Sequence, residues 1–313
     1  MTDALERDLL ARLTDRWGKR VAVKKDELDL DGHFEPDFPD FPERLVPLLG
    51  LPAAGALDPE AKHAVLAASW VAYNAKTAAI ENEIILPACR LMLDDHIPVR
   101  RDDAAVSALH QTIIDEHYHI LMCHNAVGVT KRRRALGGLD FTPAGWAVVQ
   151  GLESYLDGVS GASADLVRIA FALAAETTIG GFLSMLSTDH DIQPMNRITV
   201  DMHRKDESGH AVVFRELAGS LYRALDRDER ELFKDALVAG LKAFRAPDFE
   251  PWVQVAAAGG VTVSAAELVT GDPGSGPPGR DTGPLQLLLA DLGIEAELAG
   301  AVSATRGDGG LPC

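Results

Sequence analysis

Along most of the chain the apolar positions recur every three or four residues, the spacing that lines one face of an α-helix. Leu5, Leu9, Leu10 and Leu13 predict a short amphipathic helix over residues 2–17. Asp58-Pro59-Glu60 is an N-cap followed by proline at the first helical position, and it opens a long helix running to about Leu93. Further helices are expected over about Asp102–Ala126, Pro143–Leu156, Ala164–Asp189, Pro194–Ala224 and 228–244. One or two short helices follow within 248–270, and LQLLLADLGIEAELAG gives a terminal one. No strand alternation of useful length occurs, so the fold class is all-α.

Two stretches break the pattern. Residues 27–58 carry Pro36, Pro39, Pro42, Pro47 and Pro52 among Phe34, Phe38 and Phe41. They read as an extended arm anchored on the core by its rings. Gly271–Pro284 has the composition of a flexible connector, and the last dozen residues read as disordered. The expected organisation is a helix and arm over 1–57, a helical domain over 58–270, and a connector, short helix and tail over 271–313.

Composition narrows the function. Across 313 residues, 47% hydrophobic and 25% charged content describes a soluble globular protein. A net charge of −17 argues against nucleic acid, whose phosphates need a basic surface. Cys89, Cys123 and Cys313 form no spaced set and the N-terminus has no apolar signal core, so the cytoplasm is expected. Ile169–Ser187 is long enough to span a membrane but holds Glu176, a costly group in lipid. A helix buried inside a soluble bundle is expected there, and no membrane. The run Lys131-Arg132-Arg133-Arg134 reads as a loop, either a solvated turn or a dock for an acidic electron donor.

Glu176 is not the only acid in an apolar run. In Ile198–Ala211, His203, Glu207 and His210 stand at i, i+4 and i+7, within an arc of about 60° on one helix. Imidazoles bracketing a carboxylate on one stripe make half a site for iron, manganese or zinc. The pattern D-E-x-x-H within it (Asp206, Glu207, His210) recurs as Asp115, Glu116 and His119. Each copy follows an isolated Glu at one helix-turn-helix spacing: Glu81 lies 35 residues before Glu116, and Glu176 31 before Glu207. One Glu from each of two helices and one E-x-x-H from each of two more is the ligand set of ferritin-like di-iron and di-manganese bundles. Glu81 and Glu176 are expected as terminal ligands, and Glu116 and Glu207 as bridges. Glu83, flanked at seven residues by Lys76 and Arg90, is expected on a solvated face, and Pro87 to kink the helix just past Glu81. Asp115 and Asp206 suit hydrogen bonds to the outer ring nitrogens of ligand histidines.

With these residues in place, the chain resembles the AurF-type arylamine N-oxygenases over roughly residues 58–245. The motifs that carry the likeness are IENEIILP with Glu81, DEHYH with Glu116 and His119, AAETTIGG with Glu176, and HRKDESGH with His203, Glu207 and His210. His203 is the third histidine that separates this family from ordinary ferritins. The resemblance implies a ferritin-like bundle holding two iron ions, with O2 as co-substrate and an external electron donor or reductase. It implies stepwise oxidation of an aromatic amine, through hydroxylamine and nitroso stages, to a nitro compound in a biosynthetic pathway. Tyr73, Thr77, Gly180 and Leu183 lie one to two turns from Glu81 and Glu176 and are candidates for the amine pocket. Ligand type does not separate iron from manganese. The residues also leave open a free or carrier-bound amine, a homodimer, a di-iron hydroxylase or desaturase acting at carbon, and a ferritin-like ferroxidase.

Overall fold

Capping residues set the starts of the long helices. In the computed structural model, which describes residues 2–51, 55, 57–270 and 283–305, α1 spans Thr2–Arg20 and α2 spans Pro59–Ile80. Asp58 caps α2 by accepting the Ala61 N–H at 2.8 Å. A π-helical turn, Glu81–Ile85, carries α2 without interruption into α3, Leu86–Met92. Asp102 caps α4, Asp103–Arg133, by accepting the Ala105 N–H at 3.0 Å. Then come α5 (Ala147–Leu156), α6 (Ala162–Glu176), α7 (Ile179–Ser187) and α8 (Pro194–Ala224). A reciprocal capping box between Asp226 and Glu229 opens α9, Arg227–Arg245. Four shorter helices follow: α10 (Phe249–Ala258), α11 (Ala265–Thr270), α12 (Gly283–Leu292) and α13 (Glu295–Thr305). No strand occurs among the described residues, and the architecture is an all-α, ferritin-like bundle.

Its centre is built from α2–α3, α4, α6 and α8, which pack around a common interior. Trp70 of α2, Phe171 of α6 and Phe214 of α8 are fully buried there. Each such side chain contributes about 1.5–3 kcal/mol of burial free energy. Outside this layer α9 lies along α6 and α5, while α1 lies against α4 and α8. Gly240 lets α9 come close, because a Cβ there would sit 3.1 Å from Phe171 Cα and 3.0 Å from Ala174 Cβ.

Several sequence expectations change. The basic run is not a loop: α4 continues to Arg133, where cations suit the negative end of the helix dipole. Three of its four side chains are paired within the chain. Lys131 pairs with Asp140 at 2.8 Å, Arg133 with Asp31 at 3.0 Å and Arg134 with buried Asp40 at 2.7 Å. Arg134 also donates to Pro36 O and Phe38 O and stacks on Phe34, so it staples the N-terminal arm to α4. Of the three phenylalanines in that arm only Phe41 is buried; Phe34 and Phe38 are half-buried, and buried Val46 and Leu48 and the hydrogen bonds of Gln193 with Glu35 and of Asn196 with Asp40 O add to the attachment.

The helix irregularities also move. The turn before Pro87 widens to π geometry, with Leu86 N–H bonded to Glu81 O, so the departure lies at Glu81 itself and not beyond it. Glu83 is half-buried rather than fully solvated. The helix expected over 164–189 is two. Thr177 and Thr178 turn their hydroxyls onto Leu173 O and Ala174 O, each at 2.7 Å, and this competition for carbonyls ends α6 directly after Glu176. Two thirds (67%) of the apolar window in Ala162–Ser187 is buried, as expected of a core segment. The terminal helix is also two. Gly293, at φ 70°, ends α12 with Ile294 N–H bonded to Leu289 O. Of the connector expected over 271–284, residues 271–282 lie outside the described residues and Gly283 and Pro284 open α12; the tail beyond Thr305 also lies outside them, but 302–305, expected to be disordered, belong to α13.

Candidate metal centre

The bundle brings seven predicted side chains into its interior. Glu81 comes from the π-helical turn, Glu116 and His119 from α4, Glu176 from the end of α6, and His203, Glu207 and His210 from α8. None is more than 5% exposed, and Asp115 and Asp206 beside them are equally buried. Burying that many ionisable groups is very costly unless they are paired with each other or with cations.

Two interlocking sets of donor atoms form, each within 4.8 Å. One contains Glu81, His119, His203 and Glu207, the other Glu116, His119, Glu207 and His210. Glu207 and His119 belong to both. Glu116 faces a different histidine with each oxygen, Oε2 to His119 Nδ1 at 2.9 Å and Oε1 to His210 Nδ1 at 2.8 Å. Glu207 Oε1 lies 3.1 Å from His203 Nε2, 3.3 Å from His210 Nδ1 and 3.4 Å from His119 Nδ1. Glu81 Oε1 is 3.4 Å from His203 Nε2. Glu176 is buried at the rim but belongs to neither set, and its Oε2 has no hydrogen-bond partner.

The outer ring nitrogens show what these contacts ask for. His210 Nε2 lies 3.2 Å from Asp115 Oδ2, and His119 Nε2 lies 3.3 Å from Asp206 Oδ2. Each aspartate therefore serves the histidine of the opposite D-E-x-x-H helix. A nitrogen facing an aspartate carries the proton, which leaves the Nδ1 lone pairs aimed at carboxylate oxygens. Lone pair against lone pair at 2.8–3.4 Å is repulsive unless a proton or cation lies between them. Glu116 Oε1 is off the line of a hydrogen bond to His210 and has no other hydrogen-bond partner. These orphaned acceptors and the mixed imidazole–carboxylate donor set fit a pair of divalent ions.

Electrostatics separates the four glutamates. Burial, with repulsion from Glu116 and Glu207, pushes Glu81 well above the usual carboxylate range, and Glu176 is raised in the same way. Burial acts on Glu116 too, but His210 and His119 overcome it and hold this carboxyl down at about 2. Glu207, buried as well, is held far below its ordinary value by His210 and His203. Burial would depress His210 and His119, yet Glu116 raises both. The inner carboxylates thus favour positive charge at the Nδ1 atoms, a place protons and metal ions compete for.

The sequence did not point to the layer outside the aspartates. Trp17 Nε1–H donates to Asp115 Oδ1 at 3.0 Å and Oδ2 at 2.9 Å, and Ala22 N–H donates to Asp206 Oδ2 at 3.1 Å. Trp17 continues the Leu10–Leu13 stripe of α1, the one signal that placed it inward. A backbone donor such as Ala22 leaves no trace in sequence.

Of the four pocket candidates, Tyr73 and Thr77 lie on α2 and Gly180 and Leu183 on α7. Tyr73 stacks on Trp70 at 5.5 Å and lies near Phe182 at 5.6 Å, and its buried hydroxyl has no hydrogen-bond partner. Thr77 is buried one turn on and donates to Tyr73 O. Leu183 is fully buried, while Gly180 borders open space, with nothing within 4 Å of where a Cβ would be. A separate cavity of about 310 Å³ lies in the α4/α8 groove, one turn from His119 and His203, lined by Tyr118, Met122, Thr199, Met202, Leu28 and Leu30.

Comparison with known proteins gives the same direction. The chain is 27% identical over 292 residues to a 4-aminobenzoate N-oxygenase of Streptomyces thioluteus, an alignment covering 91% of this chain and 86% of that protein. The family described as P-aminobenzoate N-oxygenase AurF matches residues 3–271, so the likeness takes in α1, the arm and the helices through α11 as well as the bundle. With that match over most of its length, this oxygenase chain belongs to the AurF family.

Proposed function

We propose that the protein is a di-iron N-oxygenase that oxidises an aromatic amine stepwise, through hydroxylamine and nitroso compounds, to a nitro compound. The observation that carries this reading is the pair of interlocking buried donor sets sharing His119 and Glu207. Glu81, Glu116, His119, Glu176, His203, Glu207 and His210 would hold the ions, with Glu207 and His119 common to the two donor sets. A reduced iron pair supplies the site and the electrons for activating O2.

The chain's own residues set the stage for that chemistry. Asp115 and Asp206 fix the rings of His210 and His119 so that both Nδ1 atoms face inward. The apolar walls of the bundle exclude water, which strengthens every charge interaction inside. The amine lies against Tyr73 and Thr77 on the Glu81 side, with Gly180 and Leu183 on the Glu176 side. The ring of Tyr73 is packed among Phe41, Trp70 and Phe182, and its unpartnered hydroxyl offers the amine a hydrogen bond. The AurF relative's 4-aminobenzoate makes an arylamine the first substrate class to try.

The test is metal analysis followed by turnover of p-aminobenzoate under O2 with a chemical reductant. The expected result is about two irons per chain and an N-oxidised product. Two irons with oxidation only at carbon would shift the assignment to a hydroxylase or desaturase. Two manganese ions in active protein would replace iron. Absence of bound metal after reconstitution would overturn the reading.

A further inference from the structure

We infer that electrons for the reaction enter at Trp17, and that the basic surface around it docks an acidic one-electron carrier protein of the ferredoxin type. The inference rests on the metal centre proposed above. Its first support is a continuous path. Trp17 is half-buried at the protein surface, its indole N–H bonded to Asp115 Oδ2 at 2.9 Å. The same oxygen lies 3.2 Å from His210 Nε2, and the far side of that ring faces Glu116 and Glu207. Two hydrogen bonds thus join an oxidisable ring at the surface to the innermost ligands. The matching path from His119 through Asp206 ends on the Ala22 backbone N–H, where there is no ring to carry charge.

Charge is the second, independent support. Arg16, Lys19, Arg20, Lys24 and Lys25 fall within ten residues that contain no acid, in a chain of net charge −17. Arg16, Lys19, Lys24 and Lys25 are exposed. Among the described residues none of the five pairs with a carboxylate; Arg20 and Lys25 reach only backbone carbonyls. The Lys24 ammonium sits over the Trp17 ring, 4.9 Å from its centroid. By contrast, the run at the end of α4 is held by Asp140, Asp31 and Asp40. Ile114 and Leu121, 45% and 47% exposed on α4, stand three and ten residues from Gln111, whose side chain reaches Thr14 O of α1. An apolar contact beside a charged patch is what a transient protein complex uses.

Each transfer moves one electron. The reduced iron–sulfur cluster of the carrier is oxidised and the metal centre is reduced. Trp17, Asp115 and His210 act as the bridge, with no bond made or broken and no proton released.

The probe is a plant-type [2Fe–2S] ferredoxin. Its binding to the full-length protein, with and without iron, is measured at low and high salt. Wild type should bind at low salt, and the Lys19→Glu/Lys24→Glu/Lys25→Glu variant about tenfold or more weakly, a difference that high salt erases. Reduction of the iron-loaded protein is then followed optically by stopped flow. Trp17→Phe, which keeps a ring but loses the N–H, should be reduced by ferredoxin about tenfold or more slowly at unchanged ferredoxin Kd. Dithionite, small enough to need no dock, should reduce it at the wild-type rate. A purely structural role for Trp17 would slow both reductants alike.

No salt-dependent binding to wild type, or equal binding by the charge-reversed variant, overturns the dock. Ferredoxin reduction of Trp17→Phe at the wild-type rate overturns the path. If Trp17→Phe loses iron, the charge-reversed variant decides, since it leaves the centre untouched: ferredoxin reduction must slow and dithionite reduction must not. Wild type that holds no iron would instead refute the metal centre, and the binding arm on metal-free protein would still test the dock.

Discussion

The two halves of the centre are built from the same short motif and end up unequal. On α4 and on α8, D-E-x-x-H places a glutamate between the halves, a histidine with Nδ1 inward, and an aspartate under the opposite histidine. The two aspartate contacts match, at 3.2 and 3.3 Å, whereas Glu116 meets each histidine with a separate oxygen at 2.8–2.9 Å and Glu207 meets both with Oε1 at 3.3–3.4 Å. Four residues before its glutamate, however, α8 has His203, whereas α4 has buried Thr112. His203 draws Glu81 into a donor set, while Glu176, at the end of α6, stays outside both sets. Outside the aspartates the halves differ again, with an indole on one side and a backbone amide on the other. A repeated motif is enough to make a shared core of ligands; single residues outside the repeat make its two ends chemically different.

The largest expected effect comes from removing what the halves share. Glu207→Ala deletes a carboxylate common to both donor sets. Metal content by elemental analysis should fall from about two per chain to below one, with N-oxidised product lost. Retention of two tightly bound ions would break the shared-core picture. Next come the crossed aspartates. Asp115→Asn and Asp206→Asn should each weaken metal binding by about 10–100-fold in a competition titration with a chelator. Equal losses would show that the halves match at this level, and a loss on one side only would show that they do not.

Packing around α6 gives a smaller effect. Gly240→Ala presses a methyl onto the Phe171 backbone and should cost about 1–3 kcal/mol in chemical denaturation. Gly180→Ala, into open space, should leave stability equal or higher. The smallest lies outside the centre, where His96 bridges Asp165 at 2.9 Å and Asp94 at 3.0 Å. Those hydrogen bonds raise the His96 pKa above its ordinary value. The stabilisation is therefore full below about pH 6.5 and is lost as pH rises through the raised folded value. The gap in Tm between wild type and His96→Asn should close across that range while metal content stays constant.

Sequence by itself determined the helix start at Asp58 and, to within a residue or so, the one at Asp102, the all-α class, and the seven inward groups, because capping and the 3.6-residue period act over a few neighbouring residues. It also gave a repeat whose chemistry had a single economical meaning, buried Glu and His in matched spacing. It misplaced the helix breaks, since whether Thr177 and Thr178 bond backward or Pro87 widens the preceding turn depends on how the neighbouring helices press on them. The reading also missed at Lys131–Arg134, because the acids that hold Arg133 and Arg134, Asp31 and Asp40, lie about ninety residues or more away in the chain. Only the tertiary structure decided that each aspartate crosses to the other helix's histidine, and that Trp17 and Ala22 stand behind them. Spacing fixes which face of a helix a group occupies, but the partner it meets depends on the angle and register at which two helices pack, and no local pattern encodes those.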